Sequence, residues 1–410
     1  MTDDINKKKN KIPFQEKIIF GVTVNILLFG LVSLFTDYSS DMVNSVLPLF
    51  LLSIGAGETI IGAISGVSEA VGNILKGVSG WISDKIKNRK SLVIGGYALS
   101  NISKPLIALF PNWESILFLK FTDRIGKGLR TSPRDAIIAE SSTLSHKTGA
   151  AFGIHRAMDT TGAILGPLTA SLLLIYVFTN STNITLIYQF IIGLSLIPGI
   201  IAIVFVILAK DIKREREKLE HRPNSITMNK KFVSLVVIMA FAEFASIDLA
   251  FFILRARDFI SFQFIPLIVA LSNIVYVLFS IIGGKISDKI GRKNVILSGL
   301  GILLICSVIL IFNYPPGLYL APLITSIFVL FGMYHGLVDP VSRAMVSDIV
   351  GNNRKDKAYG LYYLTIGLVT LPESILFGYF YQFFNYSFAF TFSSIFLAIC
   401  MCIFAIKKFK

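Results

Sequence analysis

The chain has 410 residues, 54% of them hydrophobic and only 16% charged, with a mean hydropathy of +0.70, a composition that excludes a water-soluble globular surface. The net charge of +14 does not point to nucleic acid, because Lys and Arg fall in short clusters between apolar runs, as membrane topology demands. Cys306, Cys400 and Cys402 all lie in apolar stretches, which excludes a disulfide framework and leaves no cysteine pair for a metal.

Apolar runs of about 20 residues, enough to cross about 30 Å of hydrocarbon, recur along nearly the whole chain. The polar start, residues 1–17, reads as a cytoplasmic tail and not as a signal peptide. Cutting at the polar turns predicts twelve helices, near 22–53, 58–83, 91–110, 114–140, 148–178, 184–209, 232–254, 261–287, 294–313, 318–349, 355–383 and 386–406. The fold class expected is an all-α membrane protein. Residues 210–231, polar and without apolar periodicity, read as a cytoplasmic linker between an N-terminal six-helix bundle (1–209, with the tail) and a C-terminal one (232–410).

Basic residues alternate between the two sides. Lys7–Lys9, then Lys85, Lys87, Arg89 and Lys90, then Lys289, Arg292 and Lys293, and finally Lys407, Lys408 and Lys410 fall on one side, whereas most loops of the other side carry no Lys or Arg. Both termini are therefore expected in the cytoplasm. The exception is the outer corner Arg255-Ala-Arg257-Asp258.

The halves repeat one another. Gly80-Trp-Ile-Ser-Asp84-Lys85-Ile recurs as Gly284-Lys-Ile-Ser-Asp288-Lys289-Ile, Ala151-Phe152-Gly153 as Ala358-Tyr359-Gly360, and Pro167 as Pro372. Paired bundles of this kind enclose a central cavity that rocking opens to either side in turn.

Gly284-x-x-x-Asp288-Lys289-x-Gly291-Arg292-Lys293 resembles the signature loop of the major facilitator superfamily at every defined position. The first copy departs from it, with one residue added between Asp84 and Arg89 and Lys87-Asn88 where glycine is expected. The resemblance implies twelve transmembrane helices and a cytoplasmic gate built from Gly80, Asp84, Arg89, Arg134, Gly284, Asp288, Gly291 and Arg292, in which a carboxylate caps a helix end and pairs with arginine. Arg124-x-x-Lys127-Gly128 is similar to a second family pattern, and Gly162-Ala-Ile-Leu-Gly166-Pro167 resembles the motif of the superfamily's drug/proton antiporters, with Ala170 and Ser171 in place of two glycines. Gly-xxx-Gly spacing lets helices approach closely, and the proline bends the helix; ordinary packing of small residues is the alternative.

An ionisable group inside a span costs about 2.5–3.5 kcal/mol on insertion scales and needs a partner, a wet cavity or a task. The candidates for proton coupling or substrate contact are Asp37 and Asp41, one turn apart; Glu69; Arg124; Arg156 and Asp159 on one face; Glu243; and Glu373 after Pro372. Asp37, with Asp41 and Arg124 as partners, is the first choice for the proton site, since the resemblance implies that helices one and four line the cavity; burial disfavours a charged carboxylate and a nearby arginine favours it. Internal ion pairs that hold the bundle together are the alternative for each. His155 and His335 read as hydrogen-bonded structural residues.

No GxxxxGK[ST] loop, metal-ligand cluster or nucleophile elbow is found, so ATP drive, a metal, a cofactor and enzymatic activity are not expected. The sequence reads as a monomeric proton-coupled secondary transporter of a small organic solute in a bacterial inner membrane, and as an exporter by antiport. Proton-driven import of a nutrient or of a metal chelate such as a siderophore is the alternative within transport. A non-transporting membrane enzyme or sensor is the alternative of another class.

Overall fold

The computed structural model describes residues 17–19, 22–85, 89–142, 148–178, 183–210, 230–350 and 355–407. A two-residue antiparallel hairpin, β1 (Ile18–Ile19) with β2 (Val22–Thr23), precedes an otherwise helical chain. The first half holds α1 (Val24–Asn44), α2 (Leu47–Ser53), α3 (Glu58–Lys85), α4 (Arg89–Leu106), α5 (Trp113–Ser142), α6 (Thr148–Phe178), α7 (Ile184–Leu194) and α8 (Leu196–Leu208). The second holds α9 (Lys230–Phe244), α10 (Leu249–Ala256), a 3-10 turn (Phe262–Phe264), α11 (Ile265–Ile290), α12 (Arg292–Ile311), α13 (Leu320–Val350), α14 (Lys355–Phe383) and α15 (Tyr386–Ile406). Of the linker expected over 210–231, residues 211–229 lie outside the described residues, as do Lys7–Lys9, Lys87, Lys408 and Lys410.

Three of the expected helices are broken. Pro48 at the start of α2 has no N–H and crowds the carbonyl four residues back, which ends α1 at Asn44. Pro198 has the same effect between α7 and α8. Between α9 and α10 the chain leaves the helix and Asp248 restarts it, its side chain accepting from Ala250 N at 2.7 Å as an N-cap. With α1–α2, α7–α8 and α9–α10 each taken as one rod, nine segments among the described residues are long and apolar enough to cross a membrane; α3, α4 and α5 fall short of that measure. On α8, Ile197, Ile200, Val204 and Ile207 are all exposed. Their spacing is one helical stripe, a lipid-facing surface.

Within the first half α1 packs on α6 and α8, and α5 on α3 and α4; within the second α11 and α12 pack on α13, and α9 on α14. The halves meet along α3–α14 and α6–α11, and at the end away from the basic loops α2 also touches α10. The α3–α14 seam is backbone on backbone: a Cβ on Gly62 would collide with the Ser374 carbonyl, one on Gly378 would sit 2.5 Å from Glu58 O, and one on Gly77 2.9 Å from Gly360 O. Glycine is required there by space.

Candidate functional site

Prolines and small residues bring α1 and α6 together around a carboxyl pair. Gly162 and Gly166 place the α6 backbone against α1, where a Cβ on Gly162 would lie 2.9 Å from Tyr38 N and one on Gly166 2.6 Å from both Tyr38 O and Met42 N. Pro167 lies inside α6. At that crossing the Asp37 carboxyl faces that of Asp159. Asp159 Oδ2 also accepts from Arg156 Nη1 at 2.9 Å, and Arg156 Nη2 reaches Tyr276 Oη of α11 at 3.0 Å. Arg156 is thus the link from the pair to the other half. Although it lies well inside its helix, 58% of its side chain is exposed.

The expected partners of Asp37 are arranged differently. Asp41 accepts from Asn44 Nδ2 at 3.2 Å and lies in electrostatic range of both Asp37 and Arg124. Arg124 instead pairs with Glu69, Nη2 to Oε1 at 3.3 Å. Glu243 and Glu373 stand apart between α9 and α14: Glu243 Oε1 accepts from Thr370 Oγ1 at 3.0 Å, and buried Glu373 accepts from Ser374 Oγ at 2.7 Å through Oε2. His155 Nε2 lies 2.8 Å from Ser33 Oγ, and His335 Nδ1 lies 3.5 Å from Asp339 Oδ2.

A cavity of about 130 Å³ lies between the halves, toward the end where α2 meets α10. Its walls include Asn44, Glu69, Lys120 and Arg124 from the first half and Asp248 and Ile253 from the second. Lys120 Nζ donates to Asn44 Oδ1 at 2.8 Å, and Lys120 is 3% exposed. Lys120 and Asp248 are two site residues the charge analysis passed over, although Lys120 precedes Arg124 by four residues and so shares its face. Lys104 is a third. It is 1% exposed, donating to Ser40 Oγ at 2.8 Å and Asn101 Oδ1 at 3.0 Å, beside Ser100 donating to Asp123 at 2.5 Å.

The residues expected to form a gate fall at the opposite end. Arg292 pairs with Asp288 at 2.7 Å and Asp348 at 3.0 Å, and Gly291, at φ +92, makes the turn into α12 that a side chain would strain. Arg89 pairs with Glu140 at 2.6 Å. Each pair joins the start of one helix, α4 or α12, to the end of the next, α5 or α13, so the two halves use one construction. Arg134 pairs with Asp135 at 2.8 Å. Gly284 has open space around it. The backbone of Gly80 and Asp84 belongs to α3, but the Asp84 side chain lies outside the described residues.

The sequence profile described as Major Facilitator Superfamily matches the chain twice, over residues 29–254 and 233–409. An uncharacterized MFS-type transporter of Methanocaldococcus jannaschii is 34% identical over 365 residues, covering 87% of this chain and 88% of that protein. An uncharacterized protein of Mycobacterium tuberculosis is 23% identical over 369 residues, covering 87% and 86%. Among solved structures, the nucleoside transporter NupG aligns with a TM-score of 0.74 at 15% identity over 94% of this chain and all of that one. A D-xylose-proton symporter aligns with 0.69 at 15% identity over 92% and 96%. At these identities the structural likeness speaks to fold alone.

Proposed function

Because the chain belongs to the major facilitator superfamily, and is therefore an integral membrane transporter of a small solute and not an enzyme, we propose that it exchanges its solute for protons by alternating access. The observation that carries this reading is the Asp37–Asp159 carboxyl pair, tied through Arg156 to Tyr276 of the other half. If the two carboxyls share one proton, its departure leaves two carboxylates facing each other. The guanidinium of Arg156 is then drawn more strongly toward them and away from Tyr276, so that protonation is read as a change in the contact between halves.

Export by antiport is favoured because Gly162, Gly166 and Pro167 seat α6 on α1 directly beside this pair. The motif and the proton site are one piece of structure. Basic Arg89, Lys289 and Lys293 at the gate end support a cytoplasmic placement for that end and for both termini, in a bacterial cytoplasmic membrane. Closure at α2–α10, together with mid-helix exposure of Arg156, supports an inward-open shape.

Everted vesicles with an acid interior, screened with labelled small solutes, test the reading. Wild type is expected to accumulate its solute as protons leave, and Asp37→Asn is expected to lose the dependence on the gradient. Solute moving in the same direction as protons, or gradient-driven transport by Asp37→Asn, overturns it.

A further inference from the structure

The inter-half cavity has a charge arrangement of its own. Glu69 and Arg124 offset each other across 3.3 Å. What remains is a cation on one wall and an anion on the other. Lys120, on the first-half wall, is held by the neutral Asn44 side chain, and among the described residues no carboxylate lies within ion-pair distance of it. Asp248, on the second-half wall, caps α10 and hydrogen-bonds to Ser65, and again no cation is ion-paired with it among the described residues.

Two more polar groups line the same space without a hydrogen-bond partner: Ser68 Oγ, in a residue 2% exposed, and Arg124 Nε. A buried cation facing a half-buried anion, neither of them ion-paired, is costly unless something that carries both signs sits between them. The remaining walls, Leu47, Leu51, Ile61 and Ile253 among them, are apolar and would not reward extra charge. About 130 Å³ holds roughly ten waters at 10–15 Å³ each, room for a solute of similar atom count.

We propose that this cavity binds a small zwitterion, its anionic group between Lys120 and Arg124 on one half and its cationic group on Asp248 of the other, as in a free amino acid or a short peptide. The inference rests on the transport reading and names the substrate class of that transporter. Because its two poles lie on different halves, such a solute bridges the bundles, and a singly charged analogue fills only one side.

Binding is read as ligand-dependent thermal stabilisation of the purified full chain in detergent, with no gradient present. The probes are free amino acids and glycine-containing dipeptides, each beside its N-acetyl form, which keeps only the anion, and its C-amide form, which keeps only the cation. Wild type is expected to bind at least one zwitterion about tenfold or more tightly than either partner form, the loss expected when one charged contact is removed. Asp248→Asn, which keeps the helix cap, is expected to equalise the zwitterion and the N-acetyl form. Lys120→Gln is expected to equalise the zwitterion and the C-amide form.

Equal or tighter binding of a singly charged form by wild type overturns the proposal, as does no response to any probe, or a preference unchanged in both variants. If a variant fails to fold, judged by its unliganded melting curve, the wild-type comparison decides alone. Binding without proton-linked flux would sink the coupling mechanism and leave this inference standing; proton-linked flux of an uncharged solute would do the reverse.

Discussion

Arg255 runs against the placement of basic residues, and its surroundings explain why. The side chain is 3% exposed, with Nη1 2.6 Å from Asp258 Oδ2, Nη2 donating to the Phe312 carbonyl at 2.8 Å, and the guanidinium 3.7 Å above the Tyr386 ring. One planar cation fastens α10, the end of α12 and the start of α15. A lysine carries the charge without the fork or the stacking face. Arg255→Lys is therefore expected to lower stability by about 1–2 kcal/mol, from a weakened pair with the exposed Asp258, a lost hydrogen bond to Phe312 and a lost cation–π contact; an unchanged unfolding curve in detergent would refute this. At this scale the charged residues themselves were legible and their partners were not. Asp37 stood out as a carboxyl in a span, but its contact with Asp159 depends on how α1 and α6 lie side by side, which neither segment encodes alone. Lys120 was hidden for another reason. Two turns into α5, a lysine can equally snorkel toward head groups or turn inward, and only packing decides.

The helices repeat that lesson with their glycines. On α6, a Cβ at Gly162 would meet the α1 backbone, whereas at Gly153 nothing lies within 4 Å. Gly162→Ala is expected to cost about 1–3 kcal/mol as the two helices are forced apart, while Gly153→Ala, relieved of glycine's helix penalty, should be neutral or gain up to about 1 kcal/mol. Comparable melting shifts for the two would show that the close approach does not matter. The extent of the helices was readable from apolar length. The interruptions were also written in the chain, in Pro48 and Pro198, yet Pro105, Pro133, Pro167, Pro340 and Pro372 sit inside continuous helices. A membrane bundle re-satisfies the backbone groups that proline frees, so the residue alone does not announce a break.

For the whole molecule, alternating access requires the α2–α10 end to separate. Gly57 and Gln382 face each other there, a Cβ on the former lying 2.8 Å from the latter's side-chain carbon, and Thr59 N donates to Gln382 Oε1 at 3.0 Å. With the exposed Cys402 changed to serine, Gly57→Cys joined to Gln382→Cys by a short reducible cross-linker is expected to stop transport, and reductant to restore it. Full activity in the cross-linked protein would refute a moving outer end. The pseudo-repeat was legible where motifs recur, and the paired Arg89–Glu140 and Arg292–Asp348 links extend it to residues no motif flagged. Between the halves, the α3–α14 seam sets backbone against backbone at Gly62, Gly77 and Gly378, with side-chain contacts such as Lys76 over the Tyr363 ring alongside. Its backbone contacts would be the bearing of the proposed rocking. In the proposed rocking, charged contacts between the halves would then set the bias between the two tilts, which gives a proton or a dipolar cargo leverage to steer the motion.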